Sequence, residues 1–188
     1  MSDVREKPII FSGPMVRAIL EGRKSQTRRL LKPQPIWESG WEGYNEGCWV
    51  YTNRNGYCFP MGEYQHPIQP GDRLWVREAF TTDGPVVRYA ATDDIHELRK
   101  TKSPIHMPRW ASRITLEVTE VRVQRLQDIS EEDAEAEGFR QDCGGQFVDM
   151  ARDQFHRIWL KLHGPGSWDA NPWVAALTFE LANKEPSP

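Results

Sequence analysis

Three stretches of this chain alternate apolar and polar residues, and no repeating helical crossover joins them. Leu74 and Val76 alternate with Arg73, Trp75 and Arg77. Ile114, Leu116 and Val118 do the same, and Trp173, Ala175, Leu177, Phe179 and Leu181 recur at every second position. A period of two is the signature of a strand with one buried face. Parallel strands need long crossovers, usually helical, so the pattern predicts an α+β fold: a small antiparallel barrel with helices packed at its ends. Val121 and Val123 continue the middle pattern one residue out of phase, which predicts a β-bulge near Glu120.

The remaining elements are marked by their punctuation. Pro8 to Phe11 reads as a short strand. Ser12 then offers a cap, Pro14 sits in a first helical turn, Met15, Val16, Ile19 and Leu20 form one stripe, and Gly22 supplies the stop. Residues 23–31 read as a basic loop running into a strand. Trp49 to Thr52 and Tyr57 to Phe59, around Asn55-Gly56, predict a hairpin. Pro70-Gly71-Asp72 is a turn before the strand Arg73 to Glu78; Val86 to Ala91 is a further strand, and Asp93 to Lys100 one or two helical turns. Ser130 caps a short acidic helix, Glu131 to Glu137, closed by Gly138. A longer amphipathic helix is predicted from about Val148 to Leu162, ending at Gly164.

Composition narrows the class. A chain of 188 residues fits one domain carrying an insertion, placed at about 33–69 where Pro, Gly and Trp are dense. Eight Trp, seven Phe and five Tyr argue against disorder. No apolar run approaches the roughly 20 residues of a membrane span, and MSDVREKP has no signal-like apolar core. Three cysteines without tight spacing point to a reducing compartment, so a cytoplasmic location without membrane association is expected. Cys48, Cys58, His66 and Cys143 match no zinc-knuckle spacing, and neither a metal nor a cofactor is expected.

The net charge of −3 removes global basicity as an argument for nucleic-acid binding, but the charges are segregated. Arg17, Arg23, Lys24, Arg28, Arg29 and Lys32 face Glu21 alone, whereas Asp128 to Glu137 carries only acids. A local cationic surface binds phosphates whatever the net charge. Lys24 and Thr27 put an amine and a hydroxyl among guanidiniums, and neighbouring cations depress a lysine towards the neutral form that a base requires. The same run also fits a solvated turn at a helix C-terminus, where cations are favoured by the dipole. Trp110 between Arg109 and Arg113 suits base stacking with phosphate contact, or equally a barrel end-cap. Arg77 either lines a cleft or pairs with Glu78 at the surface.

Gly22-Arg23-Lys24-Ser25-Gln26-Thr27-Arg28-Arg29 resembles the G-x-K-x-x-[ET]-x-R signature of ASCH domains. Residues 70–76, 114–138 and the final strand are similar to further parts of that family's pattern. With 11–15 and 107–113, the set resembles a longer ASCH group found in phages and prophages. The resemblance implies a PUA-like antiparallel or mixed β-barrel with peripheral helices and a cleft for RNA or a nucleobase. A small bacterial ASCH enzyme deacylates acetylcytidine with a Lys, a Thr and a Glu. By motif these fall on Lys24, Thr27 and Glu137, with Arg23, Arg29, Arg77, Arg109, Trp110 and Arg113 as substrate-binding candidates. The implied function is an amidohydrolase acting on acylated cytidine; a module binding RNA or a modified base, and a ribonuclease for single-stranded RNA, are the alternatives. The expected partner is therefore a modified nucleoside or single-stranded RNA.

Overall fold

In the computed structural model, residues 5–39, 47–53, 55–56, 58–93, 101–140 and 150–182 are described. They run as β1 (Glu6–Ile10), α1 (Gly13–Leu20), β2 (Gln26–Leu30), β3 (Ile36–Glu38), β4 (Cys48–Thr52), β5 (Cys58–Pro60), β6 (Arg73–Arg77), β7 (Phe80–Asp83), β8 (Val86–Tyr89), β9 (Thr115–Arg125), α2 (Glu131–Ala136), α3 (Ala151–His163) and β10 (Trp173–Leu181). The main sheet has the order β1-β6-β9-β10-β2. β1 pairs with β6 in parallel, and the other three pairings are antiparallel.

The fold is thus of the expected α+β class, with a mixed sheet. It is not a closed barrel: among the described residues no pairing joins the edge strands β1 and β2. Helix α1 connects those two edges, and its Val16 and Ile19 enter the core with Phe11, Leu74, Leu116, Leu177 and Phe179. The bulge falls where the phase slip predicts it. Thr178 pairs with Glu120 and Phe179 with Val118, which leaves Thr119 as the extra residue.

β10 departs from the one-faced expectation. Val174, Ala175, Ala176 and Leu177 are all fully buried, while Leu181 is 47% exposed. The reason is a second core on the opposite face, where Val174 packs with Leu126, Ile129, Ala134, Phe155 and Trp159 beneath α2 and α3. β2 likewise begins at Gln26, so Thr27, Arg28 and Arg29 lie on a strand paired with β10 and not in a loop. The hairpin of β7 and β8 includes a first strand that sequence alone leaves unmarked.

The span expected to be an insertion carries a separate sheet, β3-β4-β5, with Gly56 in the left-handed region at the predicted turn. It meets the rest of the chain through Trp49, whose ring lies 5.8 Å from Trp173 and 4.4 Å from the Arg125 guanidinium; Trp37 packs edge-on against Trp49 at 5.6 Å within the small sheet. Tyr57, the span 94–100, Cys143 and the start of the last predicted helix at Val148 lie outside the described residues. No described helix is long and apolar enough to cross a membrane.

Candidate active site

The site begins with how α1 ends. Gly22 takes φ +71°, and the Ala18 carbonyl accepts from both Arg23 and Lys24 N–H at 2.8 and 3.0 Å. Ser25 N–H then donates to the Ala136 carbonyl and its own carbonyl accepts from Phe179 N–H. The backbone at 24–25 is thereby clamped between the end of α2 and the centre of the sheet. On the α2 side, Ser130 Oγ accepts from Asp133 N–H at 3.1 Å, the N-cap bond expected of that serine. Glu137 closes the helix, and Gly138 follows at φ +99°. A Cβ at 138 would lie 3.2 Å from Lys24 Cβ, so the glycine is what lets lysine and helix end approach.

Lys24 and Glu137 meet there, 113 residues apart in sequence. The ammonium donates to Glu137 Oε2 at 2.6 Å, to the Glu137 carbonyl at 2.8 Å and to the Gln26 carbonyl at 2.7 Å. The side chains are 0% and 3% exposed. Burial pulls the lysine below its ordinary range, the charge and hydrogen bond of Glu137 oppose this, and Arg29 and Arg28 add to the depression. Three acceptors around one nitrogen leave no donor for a lone pair, so the arrangement is that of an ammonium.

Arg28, alternate to Thr27 on β2, completes a network that sequence reading assigned only to a basic run. Its guanidinium donates to Gln26 Oε1 at 2.6 Å, Glu137 Oε1 at 3.2 Å and Asp133 Oδ2 at 2.6 Å, and it lies 5.8 Å from the Phe155 ring centre. Arg122 reaches Asp133 Oδ1 at 2.8 Å. Burial disfavours the Asp133 carboxylate, but the Arg122 hydrogen bond, the charges of Arg28 and Arg122, and Gln26 together hold its pKa below the usual value. The readable signal for this network was strand alternation: Gln26 and Arg28 share one face, Thr27 and Arg29 the other.

Thr27 and Glu137 line one small pocket of about 50 Å³, with Arg28, Arg29, Met15 and the apolar face of α3. Arg29 donates to Thr27 Oγ1 at 3.0 Å and to the Ile10 carbonyl at 2.9 Å, and lies 5.2 Å from the Phe11 ring centre. Lys24 is not among the lining residues; it stands behind the carboxylate. None of the lining residues falls within 33–69.

The other four arginine candidates stand outside that pocket and are engaged within the molecule. Arg23 holds Glu21 and the Gly138 carbonyl. Arg77 stands one strand from Phe11, whose N–H its carbonyl accepts; its guanidinium donates to the Met107 and Ile105 carbonyls. It therefore does not pair with Glu78. Arg109 forks onto Glu6 at 2.9 and 3.2 Å. Arg113 forks onto buried Glu78 at 2.9 and 3.0 Å, over the Tyr89 ring. Trp110 is 68% exposed, so it does not cap a barrel end. Among the described residues no group of three or more His, Cys, Asp or Glu side chains is placed to hold a metal.

Fold and site together describe a mixed-sheet α+β protein with a buried lysine–glutamate pair behind a threonine-lined pocket. No family model and no curated protein matches the chain. Among solved structures it is similar to an ASCH domain from Lactobacillus crispatus JV V101, at 13% identity over 94% of this chain and 79% of that one, with a TM-score of 0.43. It is also similar to a protein from Enterococcus faecalis V583 described by the family model DUF984, at 12% identity over 97% of this chain and 83% of that one, with a TM-score of 0.46.

Proposed function

We propose that the chain is an amidohydrolase that cleaves the exocyclic amide of an acylated cytidine. The observation that carries the reading is the convergence of Thr27 and Glu137 on one pocket, with Lys24 locked against the carboxylate from behind. The motif resemblance supplies the substrate class. A space of about 50 Å³ equals fewer than two waters at roughly 30 Å³ each, so only the reacting carbonyl end of the acyl group enters it. The base and sugar then lie at its mouth.

The geometry favours water over threonine as nucleophile, because the lysine that would deprotonate Thr27 is committed to three acceptors. Glu137 takes a proton from water as the oxygen adds to the amide carbonyl carbon. Arg29 and the Thr27 hydroxyl, whose proton has no acceptor among the described residues, stabilise the resulting oxyanion. The C–N bond then breaks and Glu137 returns the proton to the departing amine, giving cytidine and a carboxylic acid. Lys24 and Arg28 are positioning residues.

Incubating the purified protein with acetylcytidine and with a labelled RNA oligomer tests this. Acetate and cytidine in equal amounts are expected, with the oligomer left intact. Salt-dependent RNA binding without either product would select the binding-module reading, which the exposed Trp110 beside Arg109 favours. A shortened oligomer would select the nuclease.

A further inference from the structure

A second cavity, of about 360 Å³, shares Trp159 and His163 with the Thr27 pocket. Leu30, Leu31, Lys32 and Pro33 form much of its remaining wall. Its volume falls within the range of small-molecule sites, about 300–1,000 Å³, whereas the Thr27 pocket is far below it. Most of its lining is apolar, which suits a flat ring.

Three features fit it for a particular occupant. Lys32 is exposed and has neither ion pair nor hydrogen bond among the described residues. The indole N–H of Trp159, in the wall common to both cavities, is buried without an acceptor. His163 stacks on Trp159 at 4.1 Å, and the charges of Arg29 and Lys32 both reach it, adding to burial in lowering its pKa. One imidazole feeling both cations places positive potential on the wall that the two cavities share. An unmet indole N–H, an exposed lysine, a cationic shared wall and an apolar lining are what a phosphate followed by a heteroaromatic base would satisfy.

We propose that this cavity holds the nucleotide adjoining the acylated cytidine, with the linking phosphate between Arg29 and Lys32. The substrate is then an RNA chain and not a free nucleoside. This rests on the reading that an acylated cytidine enters the Thr27 pocket, and the test separates the two.

Titration of the full chain compares acetylcytidine with a dinucleotide carrying acetylcytidine, following hydrolysis in the same samples. The dinucleotide should bind about tenfold tighter or more, as one charge-assisted contact provides, and the advantage should shrink with added salt. Lys32→Ala, at an exposed position, should reduce that advantage about threefold or more. Equal affinities for the unaltered chain, or an advantage that Lys32→Ala leaves undiminished, would overturn the proposal. Hydrolysis of acetylcytidine with no dinucleotide advantage overturns this cavity alone. A Lys32-dependent advantage without hydrolysis upholds the cavity and removes the amidohydrolase reading.

Discussion

Two regions of this molecule are built from the same side chains and behave differently. Around Glu137, the cations Lys24 and Arg28 are wholly buried and meet Glu137 and Asp133. Around Trp110, Arg109 meets Glu6 with both side chains more than two-fifths exposed. The first region is fixed by a strand, a helix end and a glycine, and every charge there is held from two or more directions. The second is a water-screened ion pair beside an exposed ring. Exposed pairs contribute about 0–1 kcal/mol, whereas removing one member of a buried pair costs roughly 3–5 kcal/mol. Burial, more than charge count, separates the two regions.

The contrast is broken most severely at its centre. Lys24→Ala leaves the Glu137 and Gln26 acceptors without their donor and should cost about 3–5 kcal/mol in chemical denaturation. A loss below about 1 kcal/mol would place this pair with the surface ones. Asp133→Asn keeps the shape but weakens the bonds from Arg28, Arg122 and Gln26, for a smaller loss of about 1–3 kcal/mol at neutral pH. Because the folded state holds the Asp133 pKa below its unfolded value, its contribution is complete above the unfolded pKa and disappears as pH falls through the folded one. The stability gap between wild type and variant should therefore narrow on acid titration; a gap that widens contradicts the assignment.

Gly138→Ala tests the approach that brings helix end and lysine together. The positive φ and the 3.2 Å contact predict a loss of about 1–2 kcal/mol, with a matching fall in melting temperature. Arg109→Ala gives the smallest effect, within about 1 kcal/mol, because its partner Glu6 is as exposed as it is. A loss like that of Lys24→Ala would erase the distinction between the regions.

What sequence reading recovered, and what it missed, follows the same division. Local punctuation was legible: Ser130 caps α2, Gly22 stops α1, and the phase slip marks the bulge at Thr119. The meeting of Lys24 and Glu137 was legible through the motif, which encodes a contact that periodicity cannot. Arg28 was missed as a member of the site because it was read in a loop, where its alternation with Thr27 has no meaning. β10 was read as one-faced because α2 and α3 cover its second face only in the tertiary structure. That β1 and β2 end as unpaired edges among the described residues depends on strand order, a long-range choice that the strands' own periodicity does not encode.

The central claim is that Glu137 is the reacting carboxylate and Lys24 its support. The most direct measurement is the turnover of acetylcytidine by Glu137→Gln, with circular dichroism confirming the fold and titration confirming that the nucleoside still binds. A fall of about 10²–10⁴-fold in kcat with little change in affinity is predicted. A folded variant that binds acetylcytidine and turns it over within a few-fold of wild type would contradict the account.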